Sequence, residues 1–279
     1  LQKHVKVLSN GRVLDLGTGS GIQTLSLIGK PEVKEIFAID INESAIKELK
    51  EKTKLNKKVR VIKSDLFSEL DKKFDTIIFN APYLPQDFIE GEPIVDPALY
   101  GGKHGWEILE RFFLELGNYL EYGGSAIVLF SSHTNKKKID EFIEKNMFSY
   151  NVLEEKNVGM LETLYVYQIT RSQVCNSLLS RGVKEISYLA KGSRGMVFKA
   201  KWNSNEFVKT HLVNKQMIDV VIKVKLQESK ADNRIRNEVY WLRKSNKVGI
   251  GPKLLFNQED YFLMEFIDGM FLPDFLEKN

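Results

Sequence analysis

Residues 13–21 read Val13-Leu-Asp-Leu-Gly-Thr-Gly-Ser-Gly21. A short apolar run, Arg12–Leu16, breaks directly into glycines at alternate positions, and the stretch from Ser20 to Ile28 then takes up helical apolar spacing. Glycines placed there let the chain turn sharply from strand to helix and let backbone approach a ligand closely. Such a turn is common by itself, so its neighbours decide what it means. Asp40 closes the next strand-like run, Glu35–Ile39, at the distance where a carboxylate accepts both hydroxyls of a ribose. Asp65 follows the third run, Val59–Lys63, within reach of an adenine edge. With Asp15, three acids stand at the ends of three consecutive strands, where sheets of this type bind ligands. The candidate cofactor set is Asp15, Gly17, Thr18, Gly19, Gly21, Asp40, Ile41, Asp65, Leu66 and Asn80.

Working outward, strand and helix alternate to about residue 170. Asn42 or Ser44 can cap a charged helix that runs to about Leu55. Phe74–Phe79 is nearly all apolar, as a buried parallel strand should be. A polar stretch with prolines leads to a helix through Ile108, Leu109, Phe112, Phe113 and Leu116. Ser125–Phe130 reads as a strand, Asn135–Asn146 as an amphipathic helix, and Tyr150–Glu155 with Thr163–Thr170 as a closing strand pair. This is the pattern of an α/β, Rossmann-like, doubly wound and mostly parallel sheet. After Arg171 the rhythm changes to a meander: a short helix Gln173–Leu179, strands at Glu185–Ala190, Met196–Trp202 and Asp219–Lys225, a helix Asn233–Ser245, then Lys253–Phe256 and Tyr261–Ile267. Two domains are expected, 1–170 and an α+β unit at 171–279.

Composition excludes several classes. No apolar run approaches the ~18–20 residues of a membrane span, so no membrane partner is expected. The single cysteine, Cys175, gives neither a disulfide nor a zinc spacing, and the setting expected is a reducing cytoplasm. His4, His104, His133 and His211 are scattered, so no metal site is expected. The chain opens on Leu1, which suggests a fragment. Its net charge of +4 is unevenly spread, −3 over residues 1–170 and +7 over 171–279. Lys136, Lys137 and Lys138 are expected on a solvated helix face, and Trp106, Phe112 and Phe113 in helix core.

The fourth strand ends in Asn80-Ala81-Pro82-Tyr83, the candidate catalytic residues. A planar, weakly nucleophilic amine could be held there. The Asn80 side-chain oxygen and the Ala81 carbonyl can accept its two hydrogens, Pro82 fixes the backbone, and Tyr83 offers a face for the planar group. These residues resemble a class I methyltransferase with the Asn-Pro-Pro-Tyr signature, and in particular the HemK-type glutamine methyltransferases of translation release factors. Ala81 replaces the second proline, but the acceptor at that position is a backbone carbonyl and survives. Gly101-Gly-Lys-His-Gly-Trp-Glu-Ile-Leu-Glu-Arg-Phe-Phe113 resembles a segment of the eukaryotic and archaeal branch of that family. The resemblance spans about residues 8–170 and implies S-adenosylmethionine as cofactor and a peptide-chain release factor as protein substrate. That branch opens with a short acidic segment that helps enclose the cofactor, and this chain starts after it. Adenine in nucleic acid and guanine in ribosomal RNA present the same planar amine. The net −3 of this half, and Asp87, Glu90, Glu92 and Asp96 in the loop after Tyr83, disfavour a phosphate-bearing substrate.

In the second half, Ala190-Lys-Gly-Ser-Arg-Gly-Met-Val-Phe-Lys-Ala200 is a glycine turn between strands, and Val220-Val-Ile-Lys-Val224 an apolar strand with one lysine. These resemble the small lobe of a protein kinase, especially the archaeal RIO-like and Bud32-like group. The resemblance implies ATP held by Gly192, Gly195, Val197 and Lys223, with Glu238 holding Lys223 and Glu265 in the strand that leads to the hinge. No His-Arg-Asp or Asp-Phe-Gly follows before Asn279, so kinase catalysis is not expected of these residues. A natural protein with both activities, and docking of RNA or the ribosome on the basic half, are the alternatives for this part of the chain.

Overall fold

A computed structural model describes residues 1–86, 98–159, 161–192, 195–203, 217–225 and 234–269. The acids Asp87, Glu90, Glu92 and Asp96 lie outside the described residues, as do Ser193, Arg194 and Asn233. The chain divides into two compact units, Leu1–Ser172 and Gln173–Asn279.

In the first unit, seven strands form one sheet: β1 (Gly11–Leu16), β2 (Val33–Asp40), β3 (Val59–Lys63), β4 (Phe74–Asn80), β5 (Leu120–Ser131), β6 (Phe148–Asn157) and β7 (Thr163–Arg171), in the order β3-β2-β1-β4-β5-β7-β6. Pairings β1·β2, β1·β4, β2·β3 and β4·β5 are parallel, while β7 runs antiparallel to β5 and β6. The central strands carry near-continuous buried runs, Val13–Leu16 and Thr76–Phe79, because helices cover both faces of a parallel sheet. Chain direction across the sheet reverses at β1, whose neighbours are β2 on one side and β4 on the other. The crevice outside the carboxyl ends of such strands is where ligands bind.

The helices are α1 (Gln2–Leu8), α2 (Ile22–Leu27), α3 (Glu43–Thr53), α4 (Glu107–Tyr119) and α5 (Lys136–Lys145). Of the two capping candidates for α3 the structure uses Asn42, whose Oδ1 accepts from Ser44 N at 2.9 Å. The first helix was not expected. Only Val5 on it is buried, and its His4 reaches Glu154 of β6 at 2.6 Å, a contact no local pattern announces. Helix α4 buries Leu109, Phe112, Phe113 and Leu116, as its spacing implied.

Two side chains do more than expected. The Lys136 side chain is 38% exposed, and it is also paired: its Nζ donates to Asp140 Oδ2 at 2.8 Å and lies about 6 Å from the ring centres of Tyr150, Tyr165 and Tyr167. Burial disfavours its charge, but the bonds to Asp140 and Tyr167 outweigh burial and hold the amine above the ordinary lysine value. Trp106 packs against the core and also stacks on His104, 4.6 Å apart and within 8° of parallel.

In the second unit, α6 (Gln173–Leu179) precedes β8 (Val183–Gly192), β9 (Gly195–Trp202), β10 (Ile218–Lys225), α7 (Arg234–Lys247), β11 (Leu254–Asn257) and β12 (Tyr261–Glu265). The five strands form an antiparallel sheet in the order β11-β12-β10-β9-β8. Ile235 and Val239 of α7 pack on Phe262 of β12.

Candidate active site

The turn after β1 is fixed by one buried carboxylate. Asp15 Oδ2 accepts from Thr18 Oγ1 at 2.7 Å, Thr24 Oγ1 at 2.7 Å and Thr24 N at 3.1 Å, so it ties the glycine turn to the first residues of α2. Burial pushes the Asp15 carboxyl above the usual carboxylate range, against the lowering effect of those hydrogen bonds. Asp15 is 3% exposed. It was expected to face a ligand; the structure instead makes it the post that holds the turn. Thr18 is buried with it and donates its amide to Ile39 O.

Gly17, Gly19 and Gly21 all adopt left-handed φ, at 63°, 52° and 79°. Their surroundings differ. A Cβ on Gly21 would fall 2.5 Å from Leu49 Cδ1, whereas a Cβ on Gly19 would meet nothing within 4 Å. Gly19 therefore presents bare backbone to open space, while Gly21 is filled by α3.

Around that opening the structure gathers the other acids. Asp40, the last residue of β2, accepts from Gly19 N through Oδ2 and from Asn42 N through Oδ1, each at 2.8 Å. Each carboxylate oxygen keeps a second lone pair. Ile41 beside it is 52% exposed, an apolar surface at the mouth. Asp65 lies two residues past β3, and Arg111 of α4 donates to its Oδ2 at 2.9 Å, both side chains half exposed. Leu66 follows in a left-handed conformation with its side chain buried, and Ser64 Oγ donates to its carbonyl, so Asp65 sits on a constrained turn.

Asn80 ends β4 exposed, and its side chain has no hydrogen-bond partner among the described residues. Ala81 is buried, its amide donating to Leu129 O. Pro82 and Tyr83 are half-buried beneath the turn that opens α4. Tyr83 N and Leu84 N both donate to Leu99 O, and Gly101 N donates to Leu84 O. A Cβ on Gly101 would lie 2.6 Å from Pro82 O, and one on Gly105 2.7 Å from Tyr83 O. The glycines of the 101–105 segment thus allow backbone to press directly on backbone and clamp Pro82–Tyr83. His104 and Glu107 close this turn through an Nδ1 to Oε1 contact of 2.8 Å. Burial first, and then the Glu162 carboxylate, push the Tyr83 phenol above its usual range.

Sequence reading missed Arg111 as a partner of Asp65, and Glu162 near Tyr83. Nothing in the spacing of residues 46 apart reveals such a pair.

In the second unit, Gly192 and Gly195 face each other at the ends of β8 and β9, and Val197 pairs with Lys223 of β10. Lys223 Nζ meets Glu238 Oε2 of α7 at 2.5 Å, each side chain 24% exposed. Beside them is a cavity of about 680 Å³ whose lining includes Trp241, Leu242, Phe262 and Met264. Glu265 is exposed at the end of β12, with its carboxylate on Lys253 N and not at the cavity.

The strand order, the glycine turn and the two acid-bearing strand ends define a Rossmann-like class I methyltransferase domain in the first unit. The model of the methyltransferase small domain family matches residues 1–159, and the chain belongs to that family. It is 42% identical over 142 residues to a Methanocaldococcus jannaschii protein provisionally named protein N5-glutamine methyltransferase, an alignment covering 50% of this chain and 71% of that one. It is 31% identical over 150 residues to the release factor glutamine methyltransferase of Aquifex aeolicus, covering 50% of this chain and 53% of that protein. To the ribosomal protein uL3 glutamine methyltransferase of Francisella tularensis it is 35% identical over 125 residues, covering 42% and 40%. The chain thus spans about half the length of the latter two relatives or less. No helix among the described residues is long and apolar enough to cross a membrane.

Proposed function

We propose that the first unit transfers a methyl group from S-adenosylmethionine to the side-chain amide nitrogen of a glutamine in a protein, and that this protein is a peptide-chain release factor. The observation that carries the reading is Asn80: an exposed amide without a hydrogen-bond partner among the described residues, at the end of β4 and next to a glycine turn open to a ligand. The residues present suit the cofactor. Asp40 would accept the ribose hydroxyls, Asp65 an adenine amino group, and Ile41 would pack on the adenosine, while Gly19 leaves room for the remainder. The bound cofactor supplies an electrophilic methyl on a sulfonium.

The chain's own residues then have to present a poor nucleophile. Asn80 Oδ1 and the Ala81 carbonyl accept the two amide hydrogens and draw the nitrogen lone pair out of conjugation. Tyr83, kept neutral by its surroundings, lies against the planar amide. Catalysis comes from positioning and fixed dipoles, with no strong general base, and the amide proton displaced by methylation leaves to water. Relatives that act on glutamine, in release factors or in ribosomal protein uL3, support a protein substrate over a nucleic acid. Purified protein with labelled donor should methylate a release factor, and Asn80→Ala should lower that rate by about 100-fold or more. Asp40→Ala should abolish donor binding in calorimetry. Methyl transfer to DNA or ribosomal RNA but not to the release factor would replace this reading with that of a nucleic-acid methyltransferase.

For the second unit we read an ATP-binding lobe like the small lobe of a protein kinase. The favouring observation is the Lys223–Glu238 ion pair between β10 and α7, beside a cavity and close to Gly195, where a Cβ would lie 3.7 Å from Lys223 Cε. A lysine fixed by a helix glutamate is the arrangement that holds ATP phosphates.

A further inference from the structure

A concentration of positive charge in the second unit has no part in either reading above. Helix α7 carries Arg234, Arg236, Arg243, Lys244 and Lys247 against one acid, Glu238. Helix stability does not account for it. Arg234 and Arg236 occupy the first turn, which holds no acid, and there the helix macrodipole disfavours cations. Arg243 and Lys247 stand one turn apart, a like-charge pair that destabilises a helix. Both are exposed, as are Arg236 and Lys244, and among the described residues none of the four has a carboxylate partner. Arg243 donates instead to Asn257 Oδ1 at 2.7 Å.

The fold turns this charge into the wall of a groove. A cavity of about 860 Å³ is lined by Lys225, Arg234, Arg236, Tyr240 and Arg243, and Glu259 is the one acid among the described residues that line it. Arg236, Tyr240, Arg243 and Lys247 follow at i, i+4, i+7 and i+11, which places them on one face of α7 over about 16 Å. Arg243 and Lys247 line a further hollow with Asn257. Within this basic wall Tyr240 is 50% exposed, and Lys244 Nζ stands 4.7 Å from its ring centre. The Lys223 cavity uses other residues of the helix, Glu238, Trp241 and Leu242.

We propose that this groove binds single-stranded RNA, with Lys225, Arg236 and Arg243 on successive phosphates and an unpaired base stacked on Tyr240. A row of cations along a groove matches a chain of phosphates, and an exposed ring within the row suits bases that no duplex has already stacked. Gln258, in the same wall, offers a side-chain amide to a ribose 2′-hydroxyl, the group that DNA lacks. A phosphopeptide brings one localised charge and leaves most of the row unused. The inference is independent of the glutamine and ATP readings, since it uses none of their residues.

The experiment titrates the full chain into a fluorescent RNA of about ten nucleotides at several salt concentrations, with the matching DNA and a phosphothreonine peptide in parallel. Arg236→Gln and Arg243→Gln should each weaken RNA binding and flatten the slope of log K against log salt by about 0.7, one phosphate contact apiece. Tyr240→Ala should weaken binding by about tenfold with the slope unchanged, and Tyr240→Phe, which keeps the ring, should stay within about twofold of wild type. Lys137→Gln, a loss of exposed charge in the first unit, should change neither quantity. Thermal unfolding should be the same in all variants. No RNA binding by wild type overturns the proposal. Equal losses in Lys137→Gln and Arg236→Gln overturn it in favour of diffuse charge attraction, and weakening that only accompanies a lowered melting temperature overturns it in favour of a structural role. Equal affinity for the DNA overturns the choice of RNA, and tighter binding of the phosphopeptide replaces the strand with a peptide partner.

Discussion

Among the residues, the three strand-end acids look equivalent in sequence and are not equivalent in space. Asp15 serves the fold, Asp40 faces the opening with both oxygens already steadied by backbone amides, and Asp65 shares a charge with Arg111. Asp15→Ala leaves two buried threonine hydroxyls and an amide without their acceptor, and should cost about 3 kcal/mol in urea unfolding. Asp15→Asn retains an acceptor oxygen and should cost about 1 kcal/mol. The raised carboxyl also gives a pH signature. In the window between the ordinary carboxylate value near ~4 and its raised folded value, the native state binds more protons than the unfolded one. The stability this group contributes is present below that window and is lost as pH rises through it. Wild type should lose stability relative to Asp15→Asn over that interval, measured by unfolding at a series of pH values; parallel curves would refute the assignment. Sequence could place these acids at strand ends, because each end is a local feature. It could not sort them, because burial depends on which helix covers each one.

At the level of elements, the glycine turn was legible as a turn from its spacing alone. Which glycine packs against protein and which faces a ligand was not, since that depends on α3 crossing behind Gly21. The two positions should separate cleanly. Gly21→Ala adds left-handed strain and displaces Leu49, and should lower stability by about 1–2 kcal/mol. Gly19→Ala should cost about 1 kcal/mol of stability but place a methyl in the open space, weakening donor binding by about tenfold or more. Urea unfolding and calorimetric titration of both variants check this, and equal effects on both readouts would remove the distinction. The clamp of residues 101–105 on Pro82–Tyr83 follows the same logic. The glycines are visible in the sequence, but their use, bare backbone pressed on backbone, is seen only when the segments are brought together.

Across the whole molecule, two compact units imply two separable ligand responses. In hydrogen exchange, S-adenosylmethionine should protect amides within Leu1–Ser172, and ATP should protect amides from Gln173 onward, with the ATP effect lost in Lys223→Ala. ATP protection absent from wild type, or unchanged in that variant, would remove the nucleotide-binding reading of the second unit. The sequence by itself determined the alternation of strands and helices, the near-continuous apolar central strands, the glycine turn, the Asn80–Tyr83 segment and the change of rhythm near residue 170. Each is encoded within a few consecutive residues by side-chain periodicity and turn chemistry. Only the tertiary structure decided that Arg111 meets Asp65, that Lys136 lies among three tyrosines and that Glu162 Oε1 is left without a partner among the described residues. Those pairings join residues far apart in the chain, and they are set by how helices settle on a sheet to bury apolar area, which no local pattern specifies.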